Sequence, residues 1–332
     1  MEIMFKADNI KKNFDIKKSF KLRRGGGTAG RKRYVKAVDD LSFEVKYGET
    51  FGIVGESGCG KTTLARMIMQ LEKPTGGKMF FMGKDTTYLK HDQLKLFRRH
   101  VQMIFQDPYS SLNPVKSIYY LASEPLHIHK TIKDEKEIKE KVRFTLDSVG
   151  LPSSDEMLSK RPDELSGGER QRVGIARALI LEPEFIVADE PVSMLDASVR
   201  AEIVSLMMMA KEKRNLTYIF ITHELDVAYA ICDRIAVMYA GRIVEVAETL
   251  EIINKPVHPY TTLLLEAIPP LRPDKSDNSW GKTIGEGECA YYVEQPAGCN
   301  FQARCKYVKD ICKQYQPELN QLAPDHCVAC YQ

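Results

Sequence analysis

Short apolar runs alternate with stretches of helical character along the chain from Val38 onward. The run TFGIVG (50–55) precedes KTTLARMIMQL (61–71), whose composition and spacing are typical of a helix. The runs FIVADE (185–190) and TYIFITHE (217–224) are short and continuous, which favours buried strands. RIAVMYAGRIVEVA (234–247) has the form of a hairpin. This order of elements predicts an α/β domain.

Three segments depart from that pattern. The first residues alternate in strand fashion until KKSFKLRRGGGTAGRKR (17–33), whose basic and glycine-rich composition predicts a solvated surface loop rather than a phosphate or lipid contact. Between Ser110 and Pro162 the polar, helical character predicts a helical lobe inserted into the sheet domain. After about Pro256 the composition changes, and the proline- and glycine-rich segment 268–288 predicts a linker to a cysteine-bearing tail.

Composition narrows the class of protein. A chain of 332 residues with 43% hydrophobic content can build one large core or two domains. Its formal net charge of +3 is too small to indicate a nucleic-acid partner. The sequence has no run of about 18 apolar residues, and MEIMFKADNIKKNF (1–14) carries charges where a signal peptide has an apolar stretch. We therefore expect a cytosolic protein, in which disulfides are disfavoured and clustered cysteines more often bind metal or do redox chemistry.

The segment GESGCGKTT (55–63) matches the phosphate-loop pattern G-x-x-x-x-G-K-[ST] in full, between a strand and a helix. Backbone amides of such a turn and the positive N-terminus of the helix bind phosphate oxygens. Lys61 is expected to bridge the β- and γ-phosphates, and the Thr62 hydroxyl is expected to ligate Mg²⁺. Cys59 is interpreted as a small filler rather than a redox switch. The predicted nucleotide contacts of this segment are Gly55, Ser57, Gly58, Cys59, Gly60, Lys61, Thr62 and Thr63.

The apolar strand in FIVADEP (185–191) ends in two acidic residues. Asp189 is expected to lie beside the metal and to hold Mg²⁺ through its coordination shell. Glu190 is expected to polarise a water for in-line attack on the γ-phosphate. The two acids could instead be solvated turn residues, an interpretation that the phosphate loop weakens.

The segment LSGGERQRVGIARAL (165–179) resembles the signature motif of ATP-binding-cassette (ABC) ATPases, and the family's other motifs occur in order. Gln106 in VQMIFQDP resembles the Q-loop glutamine, Asp196 in SMLDAS the D-loop aspartate, and His223 in ITHE the switch histidine. The resemblance implies that Glu190 is the general base, that His223 holds the γ-phosphate and the attacking water, and that Gln106 serves in catalysis and Mg²⁺ binding.

The signature also implies a dimer. Ser166, Gly167 and Gly168 open a helix, so their amides can face a γ-phosphate. In the family that phosphate belongs to the nucleotide on a partner subunit, which implies a head-to-tail dimer enclosing two nucleotides. Glu169 and Asp196 are included among the nucleotide contacts on the same resemblance. The family stacks the adenine on an upstream aromatic residue, here assigned to Tyr34 with Phe14 as the alternative.

The fold that the resemblance implies is an α/β P-loop NTPase core of the ABC ATPase type, with an antiparallel β subdomain and an inserted α-helical subdomain. We expect the nucleotide-binding domain to span residues 1–255, with the helical subdomain at about 110–165. A small, irregular, cysteine-rich C-terminal extension is expected to occupy residues 256–332.

Two further segments indicate a subfamily. FQDPYSSLNP (105–114) and HPYTTLLLEAIPP (258–270) resemble ATPase subunits of dipeptide and oligopeptide importers, a group that includes nickel permeases, and the first is closer to the second ATPase subunit of such systems. The implied partners are a second ATPase subunit or a second copy, two transmembrane permease subunits and, indirectly, an extracytoplasmic solute-binding protein. The implied location is the cytoplasmic face of the cell membrane, through the permease.

Two alternatives stay open at this point. An importer for nickel or another solute would carry the same motifs. A soluble ABC ATPase that acts on DNA would more often carry long coiled-coil or zinc insertions and a more basic surface, and this sequence has no sustained heptads.

The eight cysteines include a group near the C-terminus. Structural zinc sites favour C-x₂₋₄-C pairs, and only Cys327 and Cys330 meet that spacing. The gaps that separate Cys299, Cys305 and Cys312 are wider, which suits thiolates around a larger cluster. Reduced cysteines packed as small apolar groups are a further possibility.

The tail resembles the motif GC-x-F-x-x-RC…C…H-x-x-x-C of importer ATPases, some of which bind a [4Fe–4S] cluster there. The alignment of His326 with the motif histidine implies Cys299, Cys305, Cys312 and Cys330 as ligands, with Cys327 as the alternate and zinc as the alternative metal. Cys289 lies outside the motif. We expect this tail to have a structural or sensing role and to supply no part of the ATPase chemistry.

Overall fold

The computed structural model describes residues 2–15, 34–267 and 296–332. The predicted surface loop at 17–33, the predicted linker at 268–288 and Cys289 lie outside these described residues. The strands in chain order are β1 (Ile3–Asp15), β2 (Tyr34–Lys46), β3 (Thr50–Val54), β4 (Gly76–Phe81), β5 (Lys84–Asp85), β6 (Val101–Ile104), β7 (Phe185–Asp189), β8 (Thr217–Thr222), β9 (Arg234–Tyr239), β10 (Arg242–Glu248), β11 (Asn320–Ala323) and β12 (His326–Val328).

The helices begin after β3 and continue to the tail. In chain order they are α1 (Lys61–Ile68), α2 (His91–His100), α3 (Pro108–Ser111), α4 (Ile118–His129), α5 (Glu135–Ser148), α6 (Asp155–Ser159), α7 (Gly167–Leu179), α8 (Ala197–Arg214), α9 (Leu225–Ile231), α10 (Thr249–Asn254), α11 (Pro259–Glu266) and α12 (Asp310–Gln314). The strands and the helix predicted from the apolar runs are confirmed by β3, α1, β7, β8 and the β9–β10 pair.

The larger sheet has the strand order β11-β12-β10-β9-β3-β8-β7-β6. Its five strands from β9 to β6 are parallel. Every residue of β3, β7 and β8 is buried, which is why these strands appear in the sequence as continuous apolar runs instead of an alternating pattern. The parallel arrangement places the carboxyl ends of the strands on one edge, where the phosphate loop begins.

A smaller antiparallel sheet, in the order β2-β1-β4-β5, packs against the larger one. Aromatic stacking joins them: the ring centroids of Phe5 and Phe185 lie 5.7 Å apart, and those of Phe43 and Phe51 lie 5.3 Å apart. Such pairs add about 0.5–1.5 kcal/mol each beyond the apolar area that they bury. This sheet is the predicted antiparallel subdomain.

The predicted helical lobe consists of α3 to α6. Helix α4 packs against α5, α6 and α7, with Leu121, Leu126 and Leu146 buried between the helices. Helix α7 starts beside the lobe and leads back to the sheet core. The Arg177 guanidinium of α7 donates to the Glu124 carboxylate of α4 at 2.6 Å. The lobe is therefore fastened to the helix that begins at the signature motif.

The tail, predicted to be irregular, also contains regular structure. Strand β12 pairs with β10, with Val246 opposite Cys327, and so extends the larger sheet. The Glu245 carboxylate beneath this pair is fully buried and lies 2.9 Å from the imidazole Nε2 of His326. It also accepts the backbone N–H groups of Val257 and His258. A strand of three residues is too short to show an alternating pattern, so it could not be predicted.

No helix within the described ranges is both long and apolar enough to cross a membrane.

Candidate functional site

The candidate nucleotide site lies at the carboxyl edge of the larger sheet. Strands β3, β8 and β7 are parallel neighbours there. Their ends lead directly to Gly55, His223 and the Asp189–Glu190 pair. The crevice at this edge is where open α/β sheets bind ligands.

Gly60 connects the phosphate loop to α1 in a conformation that requires glycine. Its φ is 108°, and a Cβ atom there would lie 2.1 Å from the carbonyl oxygen of Ala37. The close approach of the two backbones leaves no room for a side chain. The loop therefore ends at the N-terminus of α1, which concentrates amide donors and the positive end of the helix dipole on one point.

Lys61 is buried at the base of the loop. Its Nζ donates to the carbonyl oxygens of Gly55 at 2.7 Å and Glu56 at 3.0 Å, and it lies 3.9 Å from the Glu190 carboxylate. The Lys61 ammonium is thus hydrogen-bonded to the backbone of the phosphate loop. Cys59 is also buried, as expected of a small filler.

Asp189 and Thr62 offer oxygen atoms to a hard cation. The Thr62 hydroxyl donates to Asp189 Oδ1 at 3.3 Å. Burial, together with the adjacent Glu190 carboxylate, raises the pKa of Asp189 to about 6, although Thr62 and Lys61 act in the opposite direction. Carboxylate and hydroxyl oxygens are suitable Mg²⁺ ligands, and a divalent ion would relieve the crowding of negative charge. These two residues therefore fit the metal.

Glu190 is the centre of a polar cluster. One of its carboxylate oxygens accepts the Gln106 side-chain amide at 2.9 Å and lies 3.1 Å from His223 Nδ1. Its backbone has a φ of 46°, a left-handed conformation that is unfavourable for glutamate, and its N–H donates to the Ile221 carbonyl at 2.9 Å. The structure thus brings together Gln106, Glu190 and His223, which lie far apart in the sequence.

The signature segment begins α7. The Ser166 hydroxyl and the Glu169 carboxylate form a capping box, with Ser166 N donating to Glu169 Oε2 at 2.8 Å. Hydrogen bonds from Ser166 also hold the pKa of Glu169 below its ordinary value. Glu169, predicted to contact nucleotide, thus has a capping role in this structure.

Asp196 has a similar position at the start of α8. Its side chain caps the helix by accepting the Val199 N–H at 3.1 Å. Helix α8 packs against the signature so closely that a Cβ atom on Gly168 would lie 2.6 Å from a Val199 methyl group. Asp196, predicted to contact nucleotide, therefore caps the helix that packs against the signature.

The two candidates for adenine stacking are neighbours on paired strands. Tyr34 begins β2, opposite Asp15, and Phe14 of β1 is opposite Val35. Phe14 is 39% exposed and Tyr34 is 41% exposed, so part of each ring is open for stacking. The ammonium of Lys12 lies 4.9 Å from the centroid of the Phe14 ring.

Four of the tail cysteines line one small cavity, which we call the cysteine cavity: Cys299, Cys305, Cys312 and Cys330. Burial raises the pKa of Cys299 to about 11, and the other three thiols of the cavity add to this. Cys327 does not line the cavity, because it lies on β12 opposite Val246. Within the described ranges, no group of three or more His, Cys, Asp or Glu side chains is spaced to hold a metal ion.

The tail also touches the phosphate loop, a contact that the sequence did not predict. The Arg304 guanidinium forms two hydrogen bonds of 2.8 Å to the Glu56 carboxylate, and the Glu56 backbone N–H donates to the Tyr260 hydroxyl at 3.0 Å. Glu56 occupies a variable position of the phosphate-loop pattern, so no motif marked it. The opposite charges of Glu56 and Arg304 were the only signal, and 248 positions separate the two residues.

Comparisons with known proteins agree with this arrangement. A family model described as ABC transporter matches residues 38–193, and one described as oligopeptide/dipeptide transporter, C-terminal region, matches residues 244–312. The chain is 44% identical over 331 residues to the oligopeptide transport ATP-binding protein AppF of Bacillus subtilis, covering 99% of this chain and 97% of that protein. It is 41% identical to the dipeptide transport ATP-binding protein DppF of Escherichia coli, covering 99% and 94%.

Solved structures show the same fold. The ATP-binding cassette MJ0796, described as a dimeric post-hydrolysis state bound to ADP and Pi, matches with a TM-score of 0.64 and 27% identity, covering 74% of this chain and 99% of that chain. The cbiO1 protein of Clostridium perfringens, described as part of an ABC transporter complex, matches with a TM-score of 0.62 and 26% identity, covering 77% and 92%.

Proposed function

Because the chain belongs to the family of ATP-binding subunits of oligopeptide and dipeptide ABC transporters, we infer that it hydrolyses ATP to power the import of short peptides. The observation that carries this inference is the meeting of Lys61, Asp189, Glu190 and His223 at one edge of the parallel sheet. The enzyme class is therefore an ATPase, with ATP as substrate and Mg²⁺ as the expected cofactor.

We propose the following division of labour during hydrolysis. The amides of residues 55–63 and the Lys61 ammonium bind the β- and γ-phosphates. Mg²⁺, held by Thr62, Asp189 and Gln106, would neutralise charge on the phosphate oxygens. Glu190 accepts a proton from the attacking water while the Pγ–O bond to ADP breaks, and His223 and Gln106 orient the carboxylate and the water. The contacts of both groups with one oxygen of Glu190 support this division.

We propose a head-to-tail dimer as the working unit. A chain with one phosphate loop and one signature can complete its site only if Ser166, Gly167 and Gly168 serve the nucleotide of the opposite subunit. The dimeric state in the description of the related cassette supports this proposal. The partner is a second ATPase subunit, or a second copy when the chain is alone, and this chain is closer to the second ATPase of such systems.

The membrane side of the assembly follows from the family. Two permease subunits would hold the ATPase at the cytoplasmic face of the membrane, and a solute-binding protein outside the cell would deliver the peptide. We propose a nucleotide-binding domain over residues 1–255, with the helical subdomain at about 110–165 in contact with the permease, and an extension over residues 256–332. Closing of the dimer on ATP and its reopening after hydrolysis would drive alternating access.

We further propose that the cysteine cavity holds a [4Fe–4S] cluster through Cys299, Cys305, Cys312 and Cys330. The convergence of these four thiols on one cavity supports the set. A single zinc ion would need sulfur atoms about 3.8 Å apart, from its tetrahedral geometry. Zinc in the same cavity is the alternative metal, and metal analysis separates the two. Bound iron would stabilise the thiolates against the burial that opposes them.

The proposed function is tested by reconstituting the ATPase with its permease and comparing wild type with Lys61→Ala. Loss of the phosphate-binding ammonium is expected to lower ATP hydrolysis and peptide uptake together, by about a hundredfold or more. Uptake that persists without hydrolysis would contradict the proposal. Hydrolysis stimulated by DNA, and not by the permease with peptide, would favour the soluble DNA-acting alternative.

A further inference from the structure

The phosphate loop is held at Glu56 by three independent contacts. Its backbone N–H donates to Tyr260 Oη, its carbonyl accepts Lys61 Nζ, and its carboxylate accepts both arms of Arg304. Two of these contacts come from beyond the sheet core, from α11 and from the tail. Glu56 is thus the point at which the C-terminal extension meets the nucleotide site.

The ion pair with Arg304 has the features of a strong one. Both hydrogen bonds are 2.8 Å long, and the side chains of Arg304 and Glu56 are each 17% exposed. Bidentate, charge-assisted pairs of this kind fix geometry as well as adding energy. The hydrogen bonds to Glu56 also raise the pKa of Arg304 above its ordinary value, so the guanidinium stays charged.

Three aromatic rings lie close to the guanidinium of Arg304. Its carbon lies 5.8 Å from the ring centroids of both Tyr239 and Phe301 and 6.0 Å from that of Tyr260. Cation–π contacts within about 6 Å are attractive. Phe301 and Cys305, the neighbour of Arg304 in sequence, both line the cysteine cavity. The orientation of Arg304 therefore depends on the fold of the tail.

We propose that Arg304 is a positioning residue for ATP binding: the C-terminal extension holds the phosphate loop in its binding conformation through the Arg304–Glu56 pair. The proposal rests on the proposed function of that loop as the ATP site. Arg304 acts in two ways. It fixes the residue whose carbonyl holds Lys61, and it neutralises a carboxylate that would otherwise repel a triphosphate.

The effect of Arg304 on the charge of Glu56 distinguishes its positioning role from a contribution to fold stability alone. If Arg304 is removed, Glu56 carries an unpaired negative charge inside the anion-binding loop. If Glu56 is made neutral as well, that repulsion disappears although the tether is still broken. A residue that only stabilises the fold would instead lower the melting temperature and leave the KM for ATP unchanged.

The test measures KM and kcat for ATP and the melting temperature of the full-length protein. Arg304→Met keeps the packing on the rings but loses one charge-assisted pair. We therefore expect it to raise the KM for ATP about tenfold, with kcat changed less than about twofold. Arg304→Lys, which retains the charge without the fork, should lie between wild type and Arg304→Met. The double variant Glu56→Gln/Arg304→Met should recover KM to within about threefold of wild type.

Arg234→Met is the matched control. Arg234 pairs with Glu49 at 3.2 Å, with side chains 15% and 5% exposed, and lies 5.3 Å over the Phe51 ring, but at the opposite end of the parallel strands. It should lower the melting temperature without changing KM. The proposal is overturned if Arg304→Met lowers only the melting temperature, as the control does, or if the double variant binds ATP no better than Arg304→Met. Lys61→Ala, measured alongside, reports independently on whether the loop is the ATP site.

Discussion

Two adjacent carboxylates at the sheet edge have different surroundings, and this difference suits them to different tasks. Asp189 is buried beside the Thr62 hydroxyl and has a pKa raised to about 6, so a divalent metal ion would stabilise its charged form. Glu190 shares one oxygen with the Gln106 amide and His223 imidazole, which is the environment of an oriented base.

The raised pKa of Asp189 predicts a pH-dependent stability in the metal-free protein. A folded-state pKa of about 6, above the ordinary value of 3.8, means that Asp189 favours the folded state at low pH and that this contribution is lost as the pH rises through about 6. The free energy of unfolding of Asp189→Asn minus that of wild type should therefore increase by about 1 kcal/mol from pH 5 to pH 7.5. Urea unfolding of both proteins in EDTA measures this difference. Parallel pH profiles for the two proteins would contradict the assignment.

At the scale of elements, the functional groups collect at helix N-termini. Helix α1 begins after Gly60, α7 after Ser166 and α8 after Asp196. In the proposed mechanism the first two would present amides to phosphate, while α8 packs against the signature at Gly168. The tail is held by strand pairing instead, since β12 pairs with β10 of the larger sheet. Cys330 lies just beyond β12 and lines the cysteine cavity.

The choice between Cys327 and Cys330 predicts a difference in iron content. Protein purified without oxygen is expected to be brown, with about four iron and four sulfide per chain. Cys330→Ser should lose most of this iron, because its thiol lines the cysteine cavity, whereas Cys327→Ser on β12 should keep it. Metal and sulfide analysis of the three proteins decides the matter. Colourless wild type with about one zinc, or equal iron in the two variants, would contradict the ligand set.

The extent of a group of helices was predictable where the helical pattern in the sequence was long. The helical lobe expected between Ser110 and Pro162 corresponds to helices from Pro108 to Ser159, since amphipathic helices leave a periodic signal. The pairing of β12 with β10 was not predictable. Strand register depends on which edge is available in three dimensions, and three residues carry no periodicity.

At the scale of the whole molecule, the positions of the nucleotide motifs fit the proposed nucleotide-enclosing dimer. The phosphate loop and the signature begin different helices, α1 and α7, of the same chain. The fold is shared with an ABC cassette whose description is dimeric. In the proposed dimer, closure would depend on ATP, because its phosphates would be the ligand common to both subunits.

This arrangement predicts the behaviour of Glu190→Gln. Removal of the base should lower hydrolysis by about a hundredfold or more while ATP still binds, so the dimer should accumulate in the presence of Mg²⁺ and ATP. Size-exclusion chromatography with light scattering, together with turnover assays, tests both parts. Turnover at the wild-type rate would remove Glu190 as the base. A variant that stays monomeric at saturating ATP would contradict the proposed closure.

The sequence by itself determined the ATPase motifs, their order and the α/β class, and the resemblance of the tail to a family motif supplied the candidate cysteines. Each of these is a local pattern: a glycine-rich turn, a buried strand that ends in acids, a capped helix or a cysteine spacing. Only the tertiary structure shows that Gln106 and His223 both contact one oxygen of Glu190. It also shows that Arg304 forms an ion pair with Glu56, 248 positions away in the sequence. The physical reason is that ion pairs and hydrogen bonds act over a few ångströms in space, whatever the distance along the chain. The tail was expected to supply no part of the ATPase chemistry, and this ion pair brings it into contact with the phosphate loop.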